Sequence, residues 1–152
     1  MFRKILYPTD FSDVAQKALD YVISLRGAGA GHVVLLSVIN DKNMECICKG
    51  LSLVGKQSPE NVEQARQFLQ EEALKEAKPV EAELRAAGFE VDVRIERGVA
   101  KIKILEIAEA ENVSAIVLGS HGRSNVDAVL MGSVSDHIIR HSKRPVIVIK
   151  RD

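Results

Sequence analysis

The sequence predicts an α/β protein with a single, open, doubly wound parallel sheet that carries helices on both faces. Strand-like and helix-like segments alternate along all 152 residues, which is typical of repeated βα units. The segment HVVLLSVI at residues 32–39 is apolar on both faces of a strand, which indicates a sheet covered on both sides. We find no internal repeat and no linker. We therefore expect one domain over residues 1–152.

The first strand and helix are predicted from the stretch FRKILYPTDFSDVAQKALDYVI. FRKILYP has the composition of a buried strand, and Pro8 ends it. Ser12 can cap a helix whose apolar residues, from Val14 to Ile23, fall at helical spacing. That helix stops near the glycines of RGAGAG at 26–31, and the strand HVVLLSVI follows.

The middle of the chain is less regular. Residues 40–57 mix polar and apolar types, and we expect a loop there. Ser58 and Pro59 then supply an N-cap and a first-turn proline, which predicts a helix running towards Gly88. Pro79 lies inside that pattern and is expected to kink or split the helix.

The second half of the chain contains three more predicted strands and two helices. FEVDVRIER alternates apolar and charged residues, as an edge or half-exposed strand does. KIKILEIAEAE reads as a helix, SAIVLG as a strand, SVSDHIIRHS as a helix and RPVIVIK as the last strand.

Composition narrows the class of protein. Hydrophobic residues make up 46% of the chain and charged residues 28%, which argues against disorder. The 21 basic and 21 acidic residues cancel, so we expect no nucleic-acid partner. No apolar run reaches membrane-spanning length, so we expect no membrane partner. Cys46 and Cys48 are too few for a disulfide framework, and we expect a cytoplasmic protein.

Two motifs resemble known sites but lack residues that those sites need. GLSLVGKQ at 50–57 nearly matches a P-loop, yet Gln57 stands where a magnesium-binding hydroxyl belongs, and no strand leads into it. His137 and His141 are one helical turn apart, as in zinc proteases, but the catalytic glutamate and a third ligand are missing. We interpret both as surface segments.

The segment VLGSHGRSNVDAVLMGSVS at 117–135 concentrates glycines and polar residues between a strand and a helix. Glycines there let a ligand approach the backbone, and the N–H groups of a helix N-terminus suit phosphate oxygens. Arg123 and His121 could add contacts to an anion. The segment therefore predicts a phosphate cradle. A tight strand-to-helix turn with Ser133 as N-cap explains the same residues equally well.

The stretch GSHGRSNVDAVLMGS resembles the G-x2-G-x9-G-S/T signature of ATP-binding members of the universal stress protein family. The glycines at 119, 122 and 132 and the serine at 133 all fall on signature positions. The likeness extends over the whole chain, from KILYPTDFSDVAQKAL to the last strand. The chain differs from many members of the family at Ser37, where they have histidine.

This resemblance implies the strand order 3-2-1-4-5 and a nucleotide crevice between strands one and four. The adenine and ribose would be lined by Pro8, Thr9, Asp10 and Val38. The phosphates would be held by Gly119, His121, Gly122, Arg123, Gly132, Ser133 and Val134. The ligand would be ATP or AMP, with Mg²⁺ or Mn²⁺ held mainly through the phosphates. For Asp10, a purely structural role in capping the next helix is equally compatible with the residues.

The resemblance also implies a regulatory, stress-response role and a homodimer through the last strand. PVIVIK has no charged residue to protect an edge, and we expect antiparallel pairing of residues 146–149 with a second copy. No nucleophile–base pair is evident in the sequence, so we expect at most slow ATP hydrolysis. The alternative is a nucleotide-free protein-interaction module of the same fold. An adenylating enzyme is disfavoured because its motifs are missing. Absorption spectra of the purified protein would show whether it is instead an electron carrier with a bound flavin.

Overall fold

The residues described by the computed structural model, 1–121 and 131–151, contain five parallel strands in one sheet. The strands are β1 (Lys4–Pro8), β2 (His32–Asn40), β3 (Glu90–Gly98), β4 (Ala115–Gly119) and β5 (Val146–Ile149). Their order is β3-β2-β1-β4-β5, which confirms the predicted fold class. Because β1 pairs with β2 on one side and with β4 on the other, the strand order reverses between β1 and β4.

Helices cover both faces of the sheet. They are α1 (Asp13–Ser24), α2 (Asp41–Leu53), α3 (Pro59–Ala86), α4 (Ala100–Ala110) and α5 (Ser133–His141). Buried side chains of α1 and α3 form one apolar core with the sheet, and those of α4 and α5 form a second core on the opposite face. This arrangement is the doubly wound architecture that the alternation of segments predicts.

The central strands are apolar on both faces because each face meets a different core. Along β1, Ile5 and Tyr7 point into the core with α1 and α3, while Leu6 points into the core with α4 and α5. The edge strand β3 instead keeps charged residues at its solvent-exposed positions, as its alternating sequence predicts.

The long helix α3 begins where the sequence predicts. Ser58 Oγ accepts a hydrogen bond from Asn61 N at 3.2 Å, and Pro59 occupies the first turn. The helix continues past Pro79 to Ala86, so of the two expected effects of this proline, a kink or a split, the split does not occur. The helix is 28 residues long, and its packed half, with Ala73, Ala77, Val80 and Leu84 buried, includes the proline.

The expected loop at 40–57 is also wrong, because most of this segment forms α2. Asn40 caps the helix, its Oδ1 accepting from Lys42 N at 2.9 Å. The half-buried residues of α2 are spaced i, i+3, i+4, i+7, which is one helical face. They are Met44, Ile47, Cys48 and Leu51. None of the residues of α2 is fully buried, so this face makes only a shallow contact. Within the described part of the chain, no helix is both long and apolar enough to cross a membrane.

Candidate functional site

The carboxyl ends of β1, β2 and β4 open into a cleft with a volume of about 720 Å³. It lies where the strand order reverses, the position at which open α/β sheets bind ligands. Nine of the predicted site residues line it: Pro8, Thr9, Asp10, Val38, Gly119, His121, Gly132, Ser133 and Val134. The other two, Gly122 and Arg123, lie outside the described residues.

The turn between β1 and α1 is held by its own side chains. Thr9 N donates to Leu36 O at 2.8 Å, which ties the turn to β2. Thr9 Oγ1 accepts from Phe11 N at 3.0 Å, and Asp10 Oδ1 accepts from Ser12 N at 3.0 Å. The cap of α1 is Ser12, whose Oγ accepts from Ala15 N at 3.2 Å, so Asp10 stabilises the turn before the helix rather than capping the helix. Asp10 also lines the cleft.

Phe11 lines the same cleft with a backbone φ of 61°, in the left-handed region. A bulky residue is strained there, and such strain persists only where surrounding bonds hold it. Here the backbone is held on both sides of Phe11, by the hydrogen bond from Phe11 N to Thr9 Oγ1 and by the one from Ser12 N to Asp10 Oδ1. The sequence gives no signal for this conformation, because a left-handed turn is expected at glycine rather than at phenylalanine.

Gly119 ends β4 against the first turn of α1. A Cβ atom built on Gly119 would lie 2.7 Å from Val14 Cγ1 and 3.3 Å from the Val14 backbone carbon. A side chain at 119 would therefore collide with α1. Packing of helix on strand accounts for this glycine, in addition to any approach of a ligand to its backbone.

Ser120, which follows Gly119, joins the end of β4 to the start of α5. It is 2% exposed, and its carbonyl oxygen accepts from Gly132 N and from Ser135 Oγ, both at 2.7 Å. Ser120 Oγ lies 2.8 Å from His121 Nδ1. Ser120 Oγ also accepts from Arg151 N at 3.3 Å, so the hydroxyl and the His121 ring help to order the end of the strand.

The N-terminus of α5 opens into the cleft. Gly132 is the N-cap, with extended backbone at φ −69° and ψ 158°, and Ser133 is the first helical residue. The expectation that Ser133 could be the N-cap is thus corrected by one residue. Gly132 has no side chain to cap the helix, and its own N–H donates to the carbonyl oxygen of Ser120. A Cβ on Gly132 would lie 3.1 Å from Ser120 O, a tight contact with backbone, so the close approach of the two segments favours glycine.

The first-turn N–H groups of an α-helix have no acceptor within the helix. At α5 these groups belong to Ser133, Val134 and Ser135, all of which line the cleft. No side chain among the described residues caps them, whereas serine or asparagine side chains cap α1, α2 and α3. Together with the positive end of the helix dipole, they can bind an anionic group.

The opposite wall of the cleft comes from α2 and α3, and sequence reasoning missed it. Four residues of α3, at spacing i, i+3, i+4, i+7, line the cleft, as do two residues in the first turn of α2. They are Leu69, Glu72, Ala73 and Glu76 of α3, and Lys42 and Asn43 of α2. The helical spacing was present in the sequence. What it does not show is which face of α3 meets the cleft.

Among the described residues, the titratable groups with shifted pKa values lie outside the cleft lining. Burial raises the pKa of Tyr7 to about 12, and its Oη donates to Ala15 O at 2.5 Å. Desolvation and the neighbouring His141 lower the pKa of His137, whose ring stacks on that of His141 with centroids 4.1 Å apart. Within residues 1–121 and 131–151, no group of three or more His, Cys, Asp or Glu residues could hold a metal ion.

The chain is similar in sequence and structure to known proteins. Residues 1–150 match the model of the Universal stress protein family. Universal stress protein MJ0577 of Methanocaldococcus jannaschii is 36% identical over 156 residues, covering 99% of this chain and 96% of that protein. Its solved structure matches with a TM-score of 0.87, covering 100% of this chain and 98% of the other.

Two solved structures with bound nucleotides share the fold at 18% identity. A universal stress protein family protein from Arabidopsis thaliana with AMP bound has a TM-score of 0.65, covering 98% of this chain and 92% of its own. A universal stress protein in complex with cAMP has a TM-score of 0.66, covering 98% and 97%. The family match over nearly the whole chain, with the 36% identity to MJ0577, decides membership. The chain therefore belongs to the universal stress protein family.

Proposed function

We propose that the protein binds ATP or AMP in the cleft and acts as a regulatory module in a stress response. One observation carries this proposal: the N-terminus of α5, which no described side chain caps, and the carboxyl ends of β1 and β2 line the same cleft. Such a site offers amide donors for a phosphate at one end and a mixed apolar and polar pocket for a base and sugar at the other, which fits a nucleotide. Under this proposal, residues 1–152 act as one nucleotide-binding domain.

The phosphates would lie at α5. The N–H groups of Ser133 and Val134 would donate to phosphate oxygens, with His121 at the same edge. Gly119 and Gly132 would let the backbone pack closely around the phosphates. Gly122 and Arg123, at signature positions or next to them, would complete the cradle. A Mg²⁺ or Mn²⁺ ion would be held mainly by the phosphates, because the described residues offer no metal-binding cluster.

The base and ribose would lie at the β1 and β2 ends. Pro8 and Val38 provide apolar surface, and Thr9 and Asp10 provide hydrogen-bond acceptors for amine or hydroxyl donors. Adenine is the base of both AMP and cAMP, which the two nucleotide-bound proteins of this fold hold. These observations support adenine as the base.

Chemistry in this cleft would be slow. The carboxylates that line it belong to the turn after β1, with Asp10, and to α3, with Glu72 and Glu76; among the described lining residues, none belongs to β4 or α5. Ser120 is buried, and its Oγ lies 2.8 Å from His121 Nδ1 at the strand end. No described residue is placed to orient a water molecule for attack on a phosphate. The nucleotide would thus serve as a signal, with at most weak ATPase activity.

We also propose that the protein is a cytoplasmic homodimer. The edge strand β5 carries four aliphatic residues, of which the first three are only half-buried. Antiparallel pairing of Val146–Ile149 with a second copy would cover this edge. Size-exclusion chromatography with light scattering should give twice the chain mass, and a monomer at micromolar concentration would contradict the dimer. Free Cys46 and Cys48 fit a reducing compartment.

The decisive experiment identifies the nucleotide. Protein purified rapidly at low salt is denatured, and the released small molecules are analysed by mass spectrometry. Calorimetric titration of nucleotide-depleted protein with ATP and AMP, each with and without Mg²⁺, then gives the affinities. We expect ATP or AMP to be released and to rebind. If neither is released or binds, the alternative of a nucleotide-free interaction module replaces this proposal.

A further inference from the structure

The described part of the chain buries four polar residues, and all four line the cleft. They are Thr9, Ser37, Ser120 and Ser135, each at most 8% exposed. The side-chain oxygens of Thr9, Ser120 and Ser135 form hydrogen bonds within the protein. The fourth residue differs, because Ser37 Oγ has no hydrogen-bond partner among the residues that the structure describes.

Ser37 lies deep in the cleft, on the face of β2 that α1 and α3 cover. Side chains alternate along a strand, so Ser37 points to the same face as Leu35, which is buried in the apolar core with α1 and α3. Two residues further along the strand, Ile39 lines the cleft. Ser37 thus lies where the apolar core meets the cleft.

A hydroxyl in this position has a free-energy cost unless it is hydrogen-bonded. Buried polar side chains in proteins nearly always have a partner, and an aliphatic side chain on β2 would avoid the cost altogether. Because Ser37 lines the cleft, the partner of its hydroxyl comes from there, as solvent or as a polar atom of a ligand.

Ser37 is well separated from the anion-binding end of the cleft. The start of α5 is tied to the end of β4, because Gly132 N donates to Ser120 O. Strand β1 lies between β2 and β4, so two strand spacings, about 10 Å, separate them. A phosphate held at the start of α5 therefore leaves Ser37 to the rest of the ligand.

We propose that Ser37 Oγ hydrogen-bonds directly to the nucleoside part of the bound nucleotide, its base or its sugar, and so contributes to recognition of the nucleoside. The inference rests on the proposed nucleotide binding and adds a specificity-determining residue to that site. The amide groups of α5 suit any phosphate and do not select a nucleoside. A serine hydroxyl both donates and accepts, so it matches the hydroxyls of a sugar and the nitrogens of a base.

The test measures the affinities of the full chain for ATP and AMP by calorimetry. Ser37→Ala removes the hydroxyl, and Ser114→Ala is the matched control. Ser114 is half-buried directly before β4, at the end of the sheet opposite the cleft, and its Oγ accepts from Lys4 N at 3.3 Å. We expect Ser37→Ala to weaken both nucleotides about fivefold, the value of one hydrogen bond between neutral groups, and Ser114→Ala to leave both affinities native.

Urea unfolding of the nucleotide-free protein separates binding from folding. Ser37→Ala removes no hydrogen bond between described residues, so its unfolding midpoint should stay native or rise. Ser114→Ala loses the bond from Lys4 N, so its midpoint should fall. A fall of equal size in Ser37→Ala would mean that this hydroxyl has a structural partner, and the inference would be wrong.

A crystal structure of the ATP complex identifies the atom that Ser37 contacts. We expect Ser37 Oγ within about 3.2 Å of a base or sugar atom. Contact with a phosphate oxygen, or with water alone, would overturn the inference. Unchanged affinities in Ser37→Ala, a loss for ATP alone, or an equal loss in Ser114→Ala would also overturn it, while nucleotide binding would stand. If the native protein binds neither ATP nor AMP, the proposed function fails and this inference fails with it.

Discussion

Gly119 of β4 and Val14 of α1 approach so closely that a Cβ on Gly119 would lie 2.7 Å from Val14 Cγ1. Val14 is 2% exposed and its χ1 is restricted by β-branching, so it has little room to move. We expect Gly119→Ala to lower the free energy of unfolding by roughly 1–3 kcal/mol, as overpacking does in well-packed cores. Urea unfolding measures the change.

A double-mutant cycle identifies the cause of this loss. Val14→Ala removes Cγ1, so Gly119→Ala should cost less in that background than in the native one. Gly27→Ala is the control, because no atom lies within 4 Å of the Cβ position there. Its effect should stay near zero. If Gly119→Ala costs the same with alanine or valine at 14, the contact is not the reason for this glycine.

The amide of Ser133 can be removed without removing the helix. Ser133 is the first residue of α5, where proline is favoured, and Gly132 has the extended backbone that a residue before proline adopts. Ser133→Pro therefore deletes one N–H donor while α5 stays intact. We expect ATP affinity to fall about tenfold, the value of one hydrogen bond to a charged group. Calorimetric titration measures it, and circular dichroism checks the helix content.

Ser133→Ala separates the amide from the hydroxyl. It keeps the N–H and deletes only Oγ, so its loss of ATP affinity should be smaller than that of Ser133→Pro. Equal affinities in the two variants would show that the first-turn amide does not contact the phosphates. In that case the cradle would have to lie elsewhere in the cleft.

The strands predicted correctly depend on local pattern, whereas the strand order, which is also confirmed, was implied by the family resemblance. β2 and β4 are apolar on both faces because each faces two cores, and this pattern is visible in the residues themselves. The wall formed by α3 was not predicted, because its orientation depends on how α3 packs against β2 and β3, which the residues of α3 alone do not show. The left-handed Phe11 was missed for a related reason: its conformation is imposed by Thr9 and Asp10.

Helix α2 was missed although its apolar face was present in the sequence. Gly50 interrupts the pattern, and the four apolar positions of the face are separated by charged and small polar residues. The structure explains why the signal is weak: α2 has no buried residue, so few apolar residues were needed to place it. A periodic pattern of apolar residues indicates which face of a helix is buried. A helix that buries little surface therefore has a weak pattern.

The same lack of burial predicts low local stability for α2. We expect its backbone amides to exchange with solvent much faster than those around Ala77 and Leu84 in the packed half of α3. Asn40→Ala removes the cap on Lys42 N and should speed exchange in α2 about fivefold, since a cap is worth about 1 kcal/mol. Hydrogen exchange measured by mass spectrometry resolves the two helices.

Asn40→Asp is the matched control for the cap. Aspartate caps helices as well as asparagine does, so exchange in α2 should remain at the native rate. Acceleration in both variants would indicate that Asn40 acts through something other than its side-chain oxygen. Exchange in α2 as slow as in α3 would contradict the inference from burial.

Tyr7 provides a pH-dependent test of the core beneath the cleft. Burial raises its pKa from 10.0 to about 12, because the phenolate would have to form in an apolar environment. Since the folded pKa lies above the unfolded value, the folded chain keeps the proton between about pH 10 and pH 12 while the unfolded chain loses it. The resulting contribution to stability is complete below pH 10 and is lost as pH rises towards 12, at up to about 1.4 kcal/mol per pH unit.

The sequence contains only two tyrosines, so Tyr21→Phe leaves Tyr7 as the single tyrosine and allows its titration to be followed by tyrosinate absorbance. We expect a midpoint near 12 in the folded protein, and a midpoint near 10 would show that Tyr7 is accessible to water. Tyr7→Phe should lose about 1 kcal/mol at neutral pH with the hydrogen bond to Ala15 O. It should also lose stability less steeply than the native protein between pH 10 and 12. An identical slope in both would mean that other groups, and not this buried phenol, govern unfolding in alkali.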